Sequence, residues 1–139
     1  MSFYPAALQE LIDEFKEIDD KRERLEYLFE LAEEVNEFPT SQWSDATRVR
    51  GCQSEAHVHI EVDQGLVHFQ SGADAKMVQG MMGILTIALE GLAPAQALMI
   101  PPDFAEAMGL LNTLTPSRSN GFRNMFDKVM ADIRQQVEG

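Results

Sequence analysis

An α+β domain, a small antiparallel β-sheet flanked by helices, is the fold this sequence predicts. Three observations carry that reading. Apolar residues recur at helical spacing near both ends of the chain. Between residues 56 and 69 the pattern changes to alternation, interrupted by one turn signal. The 139 residues show no repeat, linker or low-complexity segment, so residues 1–139 read as one domain with a real core.

The elements follow in order. Leu8, Leu11, Ile12 and Phe15 fall at i, i+3, i+4 and i+7, which predicts a helix starting near Pro5 with one apolar stripe. Asp20 and Glu23 have the spacing of a capping box for a second helix. Leu25, Leu28, Phe29, Ala32 and Val35 are its expected inner face, and Phe38-Pro39 ends the helical region. Residues 39–47 are polar and read as a loop, with a short strand near Thr47–Val49.

Ala56, Val58, Ile60 and Val62 alternate with His57, His59, Glu61 and Asp63, which predicts a half-buried strand. Asp63-Gln64-Gly65 signals a turn, and Leu66, Val67 and Phe69 open the antiparallel partner. Ser71 or Asp74 is the expected cap of a buried helix holding Met77 to Leu89. Gly91 is placed to end it and Pro94 to begin a short helix. Pro101-Pro102 breaks the chain before another short helix, Asp103 to Met108. Thr115-Pro116-Ser117 opens the last helix, whose apolar face is Phe122, Met125, Phe126, Val129, Met130 and Ile133.

Charge narrows the function classes. The net charge is −12, from 23 acids and 11 bases. Such a chain does not hold a phosphate backbone by general electrostatics, so no nucleic acid is expected. An anionic membrane surface is disfavoured for the same reason. Twelve of the acids and only four of the bases lie in residues 1–40. That excess reads as a solvated pair of helices, or more sharply as a docking face for a basic partner. Met1 to Glu10 has neither the basic cluster nor the apolar run of a secretory signal, and the apolar stretch from Met77 to Leu89 is too short to span a bilayer. The expectation is a cytoplasmic protein without membrane contact.

The only cysteine is Cys52, so no internal disulfide and no Cys-only zinc site can form. Gly51 lets the backbone turn tightly before it. Arg48 and Arg50 stand within four positions of it, and guanidinium groups lower a thiol pKa. On residue pattern two readings stay open, a reactive thiol or a small buried hydrophobe. His57 and His59 share a strand face, and His68 is on the partner strand. They are either polar residues on the solvent side of the sheet or, with Cys52, ligands of a metal site. A Cys52–His57 hydrolase dyad is a third possibility. Met77, Met81 and Met82 read as core filler, and Gly80 and Gly83 as points of close packing. Arg118 stands near a helix N-terminus, where the macrodipole disfavours a cation, so it is placed to meet an anion such as the Cys52 thiolate or persulfide.

Three runs of this chain resemble the SufE family. They are Val49-Arg50-Gly51-Cys52-Gln53-Ser54, Asp74-Ala75-Lys76-Met77-Val78-Gln79-Gly80, and Leu114-Thr115-Pro116-Ser117-Arg118-Ser119-Asn120-Gly121. Their order and the chain length match, so the resemblance covers nearly the whole chain. It implies a fold similar to SufE and IscU-type scaffolds. It implies that Cys52 takes sulfur from the persulfide of a pyridoxal-phosphate cysteine desulfurase of the SufS or CsdA kind. Sulfur then passes to a downstream iron–sulfur scaffold or another acceptor, and the desulfurase is stimulated.

By the same resemblance the protein is a non-catalytic partner with no cofactor or metal of its own. Arg118 lies near Cys52 and stabilises its thiolate or persulfide. Arg50, Gly51, Gln53, Ser54, Asp74, Asn120 and Gly121 are the candidate loop and partner-facing positions. The chain departs from the family pattern at Arg50 and at His57, where an aromatic residue is common. The alternative function is a metal or iron–sulfur scaffold using Cys52 with His57 or His59; a single cysteine argues against it. A hydrolase needs a base and an oxyanion hole, and the sequence signals neither.

Overall fold

The computed structural model describes residues 4–52 and 54–138. The first helix, α1 (Ala6–Glu17), follows Pro5 and buries Leu8, Leu11, Ile12 and Phe15. Helix α2 (Lys21–Glu30) then runs into a 3-10 turn, Leu31–Glu34. Strands β1 (Ala56–Asp63) and β2 (Leu66–Ala73) form the antiparallel hairpin. Helix α3 (Lys76–Leu89) comes next, then short helices α4 (Pro94–Ala97), α5 (Phe104–Ala107) and α6 (Leu110–Thr113). The long α7 (Pro116–Glu138) ends the order. The architecture is α+β, as the sequence predicts.

The hairpin sets the frame. Gln64 and Gly65 have φ of 53° and 78°, the positive pair of a type I′ two-residue turn. That turn fixes the register Val58↔Ser71, Ile60↔Phe69 and Val62↔Val67, so these residues share the inner face. Helix α3 packs on β2 and α7 on β1. Both outer edges are partly covered. Arg48 bridges His57 beside β1, and Glu37 bridges Ser71 beside β2. The outward N–H groups of Val67, Phe69 and Ser71 donate to Leu92 O, Glu90 Oε1 and Asn36 O. Those bonds remove a free sheet edge.

Helix α3 is apolar on nearly all sides, as suits a central element. Gly80 and Gly83 let it lie directly against the chain beside it. A Cβ at Gly80 would collide with the Leu28 carbonyl oxygen, and one at Gly83 with that of Leu31. Met81 and Met82 are fully buried.

Four expectations are corrected. Phe29 is 37% exposed and does not face inward. Past Leu31 the chain winds as 3-10, which advances about 120° per residue, so a stripe drawn at 100° drifts off the core. Leu28 and Leu31 are the residues that reach the core. Asp20 stands at the N-cap of α2 but makes no side-chain cap bond. Neither Ser71 nor Asp74 caps α3: Ser71 lies within β2, and the N-cap position is Ala75.

Candidate functional site

Cys52 lies at the tip of a short loop with a tied neck. Val49 N–H donates to Ala56 O at 2.8 Å, and Val58 N–H donates to Thr47 O at 2.9 Å. The chain therefore leaves the sheet after Val49 and returns to it at Ala56. Where a short strand near Thr47–Val49 is expected, the chain makes only an isolated bridge, Arg48 to His57, beside a two-stranded sheet. Gly51 takes a φ of 83°, which a residue with a Cβ adopts only under strain. A side chain there would also run into the Asn124 amide of α7.

The loop lies along one stripe of α7. Asn124 faces Gly51, Gly121 faces Cys52, and Arg118 Nη1 donates to Ser54 Oγ at 3.3 Å. These α7 positions fall at i, i+3 and i+6, so one helix face receives Gly51, Cys52 and Ser54. Thr115 Oγ1 accepts the Arg118 N–H at 3.3 Å, which caps α7 and fixes the turn carrying Arg118. Opposite, Val78 and Met81 of α3 close the wall. A cavity of about 10 Å³ remains among Cys52, Val78, Met81, Ser117, Arg118 and Gly121. That is room on the order of one water-sized sphere.

Electrostatics at the thiol differ from the sequence expectation. Burial pushes the Cys52 thiol above its ordinary value, and the Arg118 charge pulls it down without overcoming burial. Arg48 and Arg50 are not the charges that act. Arg48 faces Glu55 at 3.7 Å, and both Arg48 and Arg50 are exposed beside the loop. Proximity in sequence did not become proximity of charge to sulfur.

The histidines also sit differently. His57 is 4% exposed, because Trp43 stacks on it with ring centroids 4.4 Å apart. Gly72, directly across the hairpin from His57, leaves space for the Trp43 ring. His57 Nε2 donates to Glu55 Oε2 at 3.0 Å, and Nδ1 shares a 2.8 Å hydrogen bond with Thr47 Oγ1. His59 stacks on Phe38. His68 Nδ1 donates to Glu90 Oε2 at 2.8 Å. Among the described residues, no three or more His, Cys, Asp or Glu side chains converge as a metal-binding group.

The other motif positions fall around the loop. Asp74 is exposed, and its N–H donates to Glu55 O at 3.2 Å, tying the start of α3 to the loop's end. Asn120 is exposed on α7. Gln53 lies outside the described residues. Three participants escaped the sequence reading: Glu55, which joins Arg48 and His57; Trp43, which covers His57; and Asn124, which receives Gly51. Trp43 had a signal, as the only tryptophan in a polar segment. Asn124 had none.

Fold and site together define a small α+β protein built around one sheltered thiol. The chain matches the SufE family, described as an Fe-S metabolism associated domain, over residues 9–133. It belongs to that family, and its setting is iron–sulfur metabolism. An uncharacterized SufE-like protein of Synechocystis is 34% identical over 122 residues, covering 88% of this chain and 77% of the relative. A SufE-like protein of Arabidopsis thaliana, named as chloroplastic/mitochondrial, is 29% identical and matches 87% of this chain but 33% of its own length. A solution structure of a hypothetical protein from Thermus thermophilus superposes with a TM-score of 0.85 at 29% identity, covering 99% of this chain and 100% of that one. Among the described residues, no helix is long and apolar enough to cross a membrane.

Proposed function

We propose that this protein accepts persulfide sulfur on Cys52 from a pyridoxal-phosphate cysteine desulfurase, stimulates that enzyme by clearing its product, and hands the sulfur to iron–sulfur assembly. It acts as a carrier, in the cytoplasm, with no cofactor of its own. The observation that carries this reading is the Cys52 pocket: one thiol, half-buried on a loop, with Arg118 and a space of about 10 Å³ beside the sulfur.

The chemistry is exchange between sulfurs. The Cys52 thiolate attacks the outer sulfur of the donor persulfide. A new sulfur–sulfur bond forms on Cys52, the donor's bond breaks, and the donor cysteine leaves as a thiolate. The thiol proton is released as Cys52 becomes nucleophilic, and nothing is oxidised or reduced overall. A closed loop keeps Cys52 protonated, because burial disfavours the anion. Lifting the loop onto a donor removes that penalty, so docking and activation are one event. After transfer, the persulfide is more acidic than the thiol was, and the Arg118 guanidinium is placed to hold its charge. Closure shelters it from oxidation.

The test is desulfurase turnover on L-cysteine with increasing amounts of this protein. Wild type raises turnover, and Cys52→Ser does not. Equal stimulation by Cys52→Ser contradicts the mechanism.

A further inference from the structure

We propose that His57 is a positioning residue for sulfur transfer: it latches the two legs of the Cys52 loop together at the neck and so sets how much of the time the loop lies closed over the sulfur. The bearing on transfer rests on the acceptor reading above; the latch itself rests on geometry. His57 Nε2 donates to Glu55 Oε2 at 3.0 Å, and Nδ1 meets Thr47 Oγ1 at 2.8 Å. Thr47 precedes Cys52 and Glu55 follows it, so one ring holds both legs. Arg48, on the same leg as Thr47, reaches across to Glu55 at 3.7 Å. Glu55 is also pinned through its backbone, where its carbonyl accepts the Asp74 N–H at 3.2 Å.

Packing alone does not call for a histidine here. Trp43 stacks on the ring at an interplanar angle of 17°, and a phenylalanine would offer Trp43 the same flat face. A buried imidazole adds two nitrogens that each need a partner, and an unmet one is costly. Both partners of this ring stand on the legs of the loop. The ring is buried under Trp43, so water does not compete freely for its bonds. The Arg48–Glu55 pair is open to solvent and contributes little. His57 is therefore the main side-chain tie across the neck.

Neck and tip act on one opening. At the tip, Cys52 lies against Gly121, and Ser54 takes a 3.3 Å bond from Arg118. A looser neck lets that tip lift more often. The lifted form is the one in which the sulfur is reachable, and a larger share of it lowers the half-saturating concentration without changing the rate once a complex has formed. The same loosening uncovers a stored persulfide. His57 thus trades ease of loading against retention of the sulfur.

The experiment has two arms on the full chain. In the first, iodoacetamide alkylation of Cys52 is timed without any partner. It speeds up on the order of fivefold in His57→Phe, which keeps a ring under Trp43 and drops both hydrogen bonds. Glu55→Ala cuts the same tie from the other side and matches it. Glu55→Gln keeps an oxygen for the His57 Nε2–H and stays within about twofold of wild type. An unchanged rate in His57→Phe and Glu55→Ala, or a rate in Glu55→Gln equal to that in Glu55→Ala, overturns the proposal. Should His57→Phe fail to fold, the two Glu55 variants decide it. In the second arm, sulfur loading on Cys52 is followed against protein concentration with a desulfurase. His57→Phe and Glu55→Ala lower the half-saturating concentration on the order of fivefold at an unchanged maximal rate, and they lose the loaded sulfur to dithiothreitol faster. A half-saturating concentration that does not fall overturns the proposal. If no desulfurase loads Cys52 yet alkylation responds as described, the acceptor reading has failed and the latch stands as a control on the thiol.

Discussion

Gly121 and Cys52 touch across the seam between loop and helix: a Cβ at Gly121 would stand 3.2 Å from Cys52 Sγ. That is closer than carbon and sulfur rest comfortably, so the loop closes because position 121 has no side chain. Gly121→Ala gains helix propensity of about 1 kcal/mol and crowds the sulfur at the same time. Global stability therefore changes by less than about 1 kcal/mol in urea unfolding, while iodoacetamide alkylates Cys52 several-fold faster. Equal alkylation rates would mean that this contact does not hold the loop.

Arg118 is the charge that opposes burial at the thiol. Removing it moves the Cys52 pKa further up. The pH profile of alkylation should show a wild-type inflection above the ordinary thiol value, and a higher one in Arg118→Ala. Linkage gives the sign for stability. The closed loop binds the thiol proton more tightly than an open one, so closure weakens as pH rises from the ordinary thiol value through the raised one. Cys52→Ala abolishes that alkaline loss. An inflection below the ordinary value would contradict the burial argument.

Close approach of α3 to α2 depends on two absent side chains. Gly83→Ala forces a carbon into the Leu31 carbonyl, and backbone cannot step aside as a flexible side chain would. Its helix-propensity gain is outweighed, and the expected loss is about 2–4 kcal/mol in urea unfolding. Gly80→Ala behaves alike, against Leu28. Gly65→Ala meets no neighbour within 4 Å, and its cost is only that of a positive φ. Equal losses at Gly83 and Gly65 would contradict the packing account.

His68 and Glu90 form an exposed pair at the end of the hairpin. The hydrogen bond to Glu90 raises the His68 pKa above its ordinary value. The pair's contribution is present below the unfolded pKa and is lost as pH rises through the folded one. Glu90→Gln should lower the His68 pKa in an NMR titration. Glu90→Ala should also loosen β2, because Glu90 Oε1 accepts the Phe69 N–H.

Period and punctuation made much of the fold legible. The stripe from Leu8 to Phe15, the alternation around Ile60, and Pro116 opening α7 are local signals that tertiary packing reinforced. Where packing overrode local pattern, the reading failed. Ala32 and Val35 leave the α2 stripe because the chain winds as 3-10 from Leu31, and Phe29 stays exposed within α2 itself. His57 is buried because Trp43, distant in sequence, stacks on it. Ser71 looks like a cap but continues β2, because the chain at Glu37 pairs with it. Within the site, Cys52, Gly51 and Arg118 were legible from the motifs, and the structure brings them together. The direction of the thiol pKa was not, since it depends on how much α3 and α7 cover the sulfur.

The central claim is that sulfur rests on Cys52. Intact-protein mass spectrometry after incubation with a cysteine desulfurase and L-cysteine tests it most directly. The account predicts a gain of one sulfur atom on wild type, reversed by a reductant, and none on Cys52→Ser. A gain that persists in Cys52→Ser, or no gain with any of several desulfurases, would contradict it.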